Sequence, residues 1–587
     1  MNFESFILLI LLLLLIFFLY KETFHPAASF MVIVTILVVL GILTPEEALS
    51  GFSNKQVALI AMLLIVSSVI KKFEITGYFF RKLVNENLSY KSFLARLMEV
   101  VSFLSAFLNN TPIVATLMPY VYAWGKKKGI SPSKLLIPLS YAAILGGTAT
   151  LIGTSTNLVV NGLTVEAGLK PLGIFDFSYV GIPAIIVGLF YMILFGNKVL
   201  PERKDIVSTF LEKKREYLVE TFVPVDSPII GKTVKEANLR NLEGLFLVEI
   251  IRKKKRITPV SPKDTIEEGD ILIFAGETEK IVELVKRNNG FQLPQVCSVN
   301  LNGKTEIVEG LIPYNSSLGG KRVKDTDFRA KFDAAILAVH RNGEKLKGKI
   351  GEIVLKPGDL LLILAGKDFW KRVADSDDLY IITKVREILP VEEKKALLIL
   401  IMFLLAIFLS ALGIFSLFQS LLILISIFVV FKIATYSEIK KSIDLNLIII
   451  AALSLAIGKA MVKTGLAESL AKTVTTFTEP FGVIACLFAV YVVTNILTEF
   501  VTNLAAASIS FPIALSVANS LFVDPKAFIL VVAFAASASF LTPIGYQTNL
   551  MVYGPGNYRF VDFLKVGFPL SILYMIVTIG VLSLMYL

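Results

Sequence analysis

The sequence predicts a polytopic α-helical membrane protein built as an inverted repeat, with two re-entrant helical hairpins and broken helices, and carrying a soluble α+β insert. Three observations carry that reading. Mean hydropathy is +0.72, with 55% hydrophobic and only 18% charged residues in 587, a balance foreign to soluble globular classes. Apolar runs recur on both sides of a charged stretch between about Leu200 and Ala396. Two polar motifs inside the apolar parts occur twice, in the same order and at nearly the same separation.

A membrane helix needs about 20 mostly apolar residues. The runs Phe6–Tyr20, Ala27–Leu43, Gln56–Ile70, Leu135–Ile152 and Tyr179–Leu200 supply candidates in the first part. Leu397–Leu412, Leu417–Val430, Leu445–Ile457, Ala527–Leu541 and Val566–Leu587 supply them in the second. The first run lacks flanking basic residues and a small-residue cleavage site, so it is expected to stay as a helix rather than be removed as a signal peptide. The net charge of +11 reads as inner loops obeying the positive-inside bias, with no nucleic-acid partner. Cys297 and Cys486 give no disulfide framework, and the isolated His25 and His340 no metal site.

Within the charged insert, IIGKTVKEANLR with EEGDILIFAG recurs as LGGKRVKDTDFR with KPGDLLLILAG; Gly231 and Gly320, like Gly269 and Gly358, stand 89 apart. Two tandem modules follow, each alternating short strands with glycine turns. The expected division is 1–204 and 386–587 for the two membrane repeats, 205–296 for the first module with its linker, and 297–385 for the second. The modules resemble the TrkA-C (RCK-C) domain of potassium-conductance regulators from about Val219 to Ile382, most strongly in the xGDxLxxxG ending. That resemblance implies regulation, by dimerisation or by a small ligand at the modules. No GxGxxG occurs in the insert.

In the membrane parts, FLNNTPIVATLMP resembles FVTNLAAASISFP with Asn110 over Asn503, 393 apart. LIGTSTNLVVNG resembles PIGYQTNLMVYG, with Gly153 over Gly545 and Asn157 over Asn549, both 392 apart. Placing Lys71–Lys72, Arg81–Lys82 and Lys126–Lys128 inside puts the N-terminus outside and the insert in the cytoplasm of a multi-pass inner (plasma) membrane protein. The Asn110 and Asn503 segments then enter and leave on one side each, and the second repeat is inverted.

Broken helices at membrane depth survive only where protein encloses them, because an unpaired backbone group in hydrocarbon costs several kcal/mol, order of magnitude. Pro112 disfavours helix at Thr111, and Gly153 permits a turn. Carbonyls near Gly153 and the side-chain oxygens of Asn110 and Asn157 suit a hard cation. Helix N-termini after Asn110 and after Gly153, with the hydroxyls of Thr111, Thr154, Ser155 and Thr156, suit an anion. The second repeat offers Thr502, Asn503, Gly545, Gln547, Thr548 and Asn549. Na⁺ with an oxyanion is a chemically coherent pair.

These motifs resemble the divalent anion/sodium symporters of the ion transporter superfamily, whose hairpin tips carry Ser-Asn-Thr. Here Asn109-Asn110-Thr111 and Thr502-Asn503-Leu504 stand at those places, so the central asparagine matches twice while Leu504 departs from the pattern. The TPIGYQTNLMVYGPGNY stretch and the paired insert modules resemble the sulfate-transporter branch. The resemblance implies sodium at Asn110, Gly153, Asn157, Asn503, Gly545 and Asn549, and the anion at Asn109, Thr111, Thr154, Ser155, Thr502, Tyr546, Gln547 and Thr548. It implies a homodimer in the lipid bilayer that moves a divalent oxyanion, sulfate first, with Na⁺ as coupling ion and no cofactor. A proton- or sodium-coupled di- or tricarboxylate carrier and a nutrient-sensing receptor are the alternatives. Glu499 is a candidate cation or proton site; the alternatives are a place at the outer surface or a pairing with Lys526. No spacing for enzyme catalysis occurs.

Overall fold

The computed structural model describes residues 2–21, 24–73, 75–84, 88–203, 218–239, 245–252, 255–276, 306–313, 316–341, 344–346, 350–366, 368–374, 376, 378–382 and 393–587. Cys297 and the three expected division points lie outside them. The first half contains α1 (Phe3–Tyr20), α2 (Pro26–Val39), α3 (Pro45–Leu49), α4 (Lys55–Lys72), α5 (Ile75–Leu83), α6 (Tyr90–Ser105), α7 (Asn110–Lys127), α8 (Leu136–Gly147), α9 (Ser155–Glu166) and α10 (Ser178–Val199). Among its described residues the insert holds nine strands with α11 (Phe328–Phe332) and α12 (Phe369–Ala374). The second half contains α13 (Glu393–Ala411), α14 (Leu417–Val430), α15 (Tyr436–Ser442), α16 (Leu445–Lys463), α17 (Leu466–Thr478), α18 (Val483–Phe500), α19 (Asn503–Ser520), α20 (Pro525–Ser537), α21 (Gln547–Tyr553) and α22 (Phe560–Tyr586). Among the described residues, six helices are long and apolar enough to cross a membrane, and α3 with α4 forms a bent seventh.

The second half repeats the first helix for helix, α13–α22 following the succession of α1–α10. Local chemistry repeats with it. Thr44 and Glu47 close a capping box on α3, as Thr435 and Glu438 do on α15, so each short helix starts with its free N–H groups satisfied. Each glutamate then reaches into the other half. Glu47 Oε2 pairs with Lys463 Nζ at 2.8 Å, and Glu438 Oε1 with Lys72 Nζ at 2.7 Å. The short helix α3 thus lies beside the end of α16, and α15 beside the end of α4.

Several boundaries differ from the apolar runs. The Leu135–Ile152 run stops being helical at Gly147, and Ala527–Leu541 at Ser537, because small and hydroxyl residues at 146–150 and 537–539 break the helix while keeping hydropathy high. Helices α13 and α22 start before their runs, at Glu393 and Phe560. Helices α5 and α17 are amphipathic, with polar faces such as Glu468 and Lys472, and no apolar run announces them.

In the insert, β1 (Leu218–Phe222), β2 (Leu245–Arg252), β3 (Lys255–Ile257) and β4 (Ile271–Gly276) form a sheet in the order β1-β4-β2-β3. β5 (Glu306–Leu311), β6 (Ala334–Arg341), β7 (Glu344–Lys345), β8 (Leu360–Ala365) and β9 (Tyr380–Ile381) are ordered β7-β6-β8-β5-β9, the same order with one strand added. Val248 and Ile273 pack on Ala335, Leu337 and Leu362 between the sheets. The GD turn has a physical reason: Asp359, fully buried, accepts from Arg341 Nε at 2.7 Å and Lys356 N at 2.8 Å. Asp270 does the same with Arg252 and Glu267 N.

Candidate functional site

Each hairpin tip is a tight reversal between two helices. After α6 ends at Ser105, Asn109 caps α7 by accepting from Thr111 N at 3.3 Å; after α18, Thr502 caps α19 by accepting from Ala505 N at 3.3 Å. Asn110 and Asn503 therefore open their helices and project across to the broken segments. Ser105 Oγ lies 2.5 Å from Asn110 Oδ1 and 2.8 Å from the Ala143 carbonyl of α8. In the other half, Thr498 Oγ1 lies 3.0 Å from Asn503 Oδ1 and 2.6 Å from the Ala536 carbonyl of α20. At the first place one hydroxyl proton faces two acceptor oxygens; at the second, Ser539 Oγ, 3.4 Å from Asn503 Oδ1, offers another proton. Clustered neutral oxygens of this kind suit a hard cation.

The breaks are held open by a second matched bond. Asn157 Nδ2 donates to the Thr150 carbonyl at 2.8 Å; Asn549 Nδ2 donates to the Thr542 carbonyl at 3.2 Å and to Ser539 O at 2.8 Å. Gly153 is needed for close approach. A Cβ there would come within 2.4 Å of Gly147 O, 2.9 Å of Ser105 O and 3.0 Å of Ala106 O. Three carbonyls thus converge on one glycine. At Gly545 a Cβ would meet Glu499 Oε2 at 2.9 Å and Thr542 Oγ1 at 3.1 Å.

The halves meet where hairpin one touches the second break. Asn110 Nδ2 donates to Tyr546 OH at 2.6 Å, Thr111 Oγ1 to Gln547 Oε1 at 3.0 Å, and Thr154 Oγ1 lies 3.4 Å from Tyr546 OH. A small cavity of about 20 Å³ adjoins this junction, lined by Asn109, Gly153, Thr154 and Ser155 and walled by Leu64 and Phe403.

Of the expected site residues, Asn109, Asn110, Thr111, Gly153, Thr154, Ser155, Tyr546 and Gln547 gather at the junction and its cavity. Asn503, Gly545 and Glu499 gather around the second tip. Thr502 is a helix cap. Thr548 is buried against Ser140 Oγ at 2.9 Å, and Ser140 also donates to Asn549 Oδ1 at 2.7 Å. Asn157 Oδ1 is buried without a hydrogen-bond partner, and so is Glu499 Oε2. Glu499 is 5% exposed, and its Oε1 accepts from Leu541 N at 3.0 Å. It does not pair with Lys526, whose ammonium lies 3.2 Å from Asp176. Ser105 and Thr498 went unnoticed in the sequence. The available signal was a hydroxyl residue five positions before each matched asparagine.

Apolar helices broken at two matched places, with oxygen clusters and a cavity where the breaks meet the hairpin tips, are the equipment of a membrane transport protein rather than an enzyme. The pattern of the family described as citrate transporter (CitMHS) matches residues 10–529. The chain belongs to that family and is a membrane transporter. It is 31% identical over 563 residues to a putative sulfur deprivation response regulator of Chlamydomonas reinhardtii, covering 93% of this chain and 96% of that protein. An uncharacterized transporter of Synechocystis sp. is 32% identical, with 95% and 93% covered. Sodium/sulfate cotransporter 1 of Chlamydomonas reinhardtii is 22% identical, with 94% and 86% covered. Among solved structures, the YdaH transporter of Alcanivorax borkumensis aligns over 99% of this chain and 98% of its own, with TM-score 0.42 and 11% identity.

Proposed function

We propose that this transporter is a symporter that moves a divalent inorganic oxyanion, sulfate first, together with Na⁺. The observation that carries the reading is the pair of matched oxygen clusters at Ser105–Asn110 and Thr498–Asn503, each built of neutral side-chain and backbone oxygens. The groups joined at the junction are neutral hydroxyls and amides, so a dianion there needs its charge offset by coupled cations. The relative named a sodium/sulfate cotransporter supports the choice of ions. The exchanged pairs Glu47–Lys463 and Lys72–Glu438, each joining a short helix of one half to the end of a long helix of the other, support an inverted repeat, in which the hairpin-bearing half moves past the remaining helices. Lys71 stacks on Tyr380 of the insert, which supports an insert on the lysine-rich, cytoplasmic side of the inner membrane, where two TrkA-C-like modules regulate a dimer.

The family description favours a second reading, a citrate or dicarboxylate carrier coupled to Na⁺ or protons. Proteoliposomes separate the two. Labelled sulfate uptake is expected to collapse when choline replaces Na⁺ and to be competed by unlabelled sulfate better than by citrate. Undiminished uptake in choline sinks the sodium claim, and competition by citrate alone moves the substrate to the second reading.

A further inference from the structure

The second insert module is packed against the transport helices themselves. Tyr122 of α7 donates to the buried Glu309 of β5 at 3.0 Å. A Cβ on Gly358 would lie 2.8 Å from Leu550 Cδ1, and one on Gly554 would lie 3.3 Å from Leu360 Cβ and 3.0 Å from Gly358 O. Leu550 is one helical turn from Gln547, the junction residue of α21. The module thus grips helices of both repeats, α7 and α21, which carry Asn110 and Gln547. It also reaches α4, where Lys71 Nζ lies 5.5 Å from the Tyr380 ring.

These attachments differ in strength. Glu309 and Leu360 are buried, and parting them from α7 and α21 breaks the Tyr122–Glu309 hydrogen bond and bares apolar surface. Lys71 is exposed and Tyr380 half-buried, and a cation resting on a ring at such a place is among the weaker contacts. When the hairpin half moves past α4, the α4 side is the one that parts.

We propose that the second insert module rides on the hairpin half and latches it to α4 through Lys71 and Tyr380, an autoinhibitory contact that must open in each transport cycle. This rests on the reading that the hairpin half moves. The test uses the full chain in proteoliposomes, in a background lacking Cys297 and Cys486. Bridging Lys71→Cys to Tyr380→Cys with a short, reducible thiol cross-linker stops uptake, and reduction restores it. The disulfide between Leu360→Cys and Gly554→Cys leaves uptake within about twofold of the reduced protein. Lys71→Ala raises uptake severalfold.

A second readout does not depend on which anion is carried. With the Lys71–Tyr380 bridge in place, a cysteine at Leu64 in the cavity wall reacts with an impermeant maleimide from one membrane face only. In the reduced protein it reacts from both. Uptake or two-sided labelling that persists in the bridged protein overturns the latch, as does a stop imposed by the 360–554 disulfide. If the reduced cysteine variant and the unmodified protein both take up no sulfate, yet labelling at Leu64→Cys changes with the bridge, the substrate reading fails and the latch stands.

Discussion

Asn110 donates to the Tyr546 hydroxyl at 2.6 Å, so the first hairpin tip is closed by the second broken helix, 436 positions away. The bond is the shortest side-chain link between the two repeats at the junction. Tyr546→Phe removes it while keeping the ring. The loss, about 1–2 kcal/mol for a buried amide left without its partner, corresponds to about a 5- to 30-fold weaker apparent anion affinity. Uptake against anion concentration measures it; an unchanged half-saturation removes Tyr546 from the site.

The asparagines at the breaks answer a different test. Asn157 and Asn549 each hold a carbonyl that the interrupted helix leaves unpaired. Asn157→Ala and Asn549→Ala are each expected to destabilise the protein by about 1–3 kcal/mol. The second variant loses more, because Asn549 also binds Ser539 O and Ser140. Thermal unfolding in detergent reads the order. Equal melting of both variants with the unmodified protein means the breaks do not need these clamps.

The spanning helices were legible because hydropathy is a bulk property, and the repeat because polar identity at Asn110, Gly153 and Asn157 recurs against an apolar background. Helix ends at Gly147 and Ser537 were hidden, since glycine, serine and threonine weaken a helix without lowering hydropathy much, the more so with alanines between them. The Glu47–Lys463 and Lys72–Glu438 pairs were hidden for another reason. Each charge alone looks like an ordinary loop charge, and only the packing of α3 beside the end of α16 and of α15 beside the end of α4 brings the partners together. Nothing but their spacing from Asn110 and Asn503 sets Ser105 and Thr498 apart from packing hydroxyls, so the sequence does not single them out.

In the insert, Arg341 neutralises Asp359 at a position with no solvent contact. Arg341→Ala strands a buried carboxylate, a change that costs about 3–5 kcal/mol, enough to unfold a small module. Limited proteolysis is expected to cut the insert of this variant much faster. Arg341→Met with Asp359→Asn restores part of the resistance, because the buried charge is then gone. Equal cutting of Arg341→Ala and the unmodified protein sets the ion pair aside as unimportant.

The two oxygen clusters are matched but not identical. Ala106 precedes the first tip where Glu499 precedes the second, so only the second cluster has a carboxylate beside it, its Oε2 buried and unpartnered. Asn110→Ala is therefore expected to raise the sodium concentration for half-maximal uptake about tenfold or more, roughly 1.4 kcal/mol. Asn503→Ala raises it less, because the Glu499 carboxylate still attracts the ion at short range. Glu499→Gln removes that difference, so that Asn503→Ala combined with Glu499→Gln matches or exceeds Asn110→Ala. Sodium titrations of uptake at fixed anion give all four values. Wild-type sodium dependence in both asparagine variants takes the clusters out of the mechanism, whereas an equal rise in Asn110→Ala and Asn503→Ala denies Glu499 a share in holding the ion.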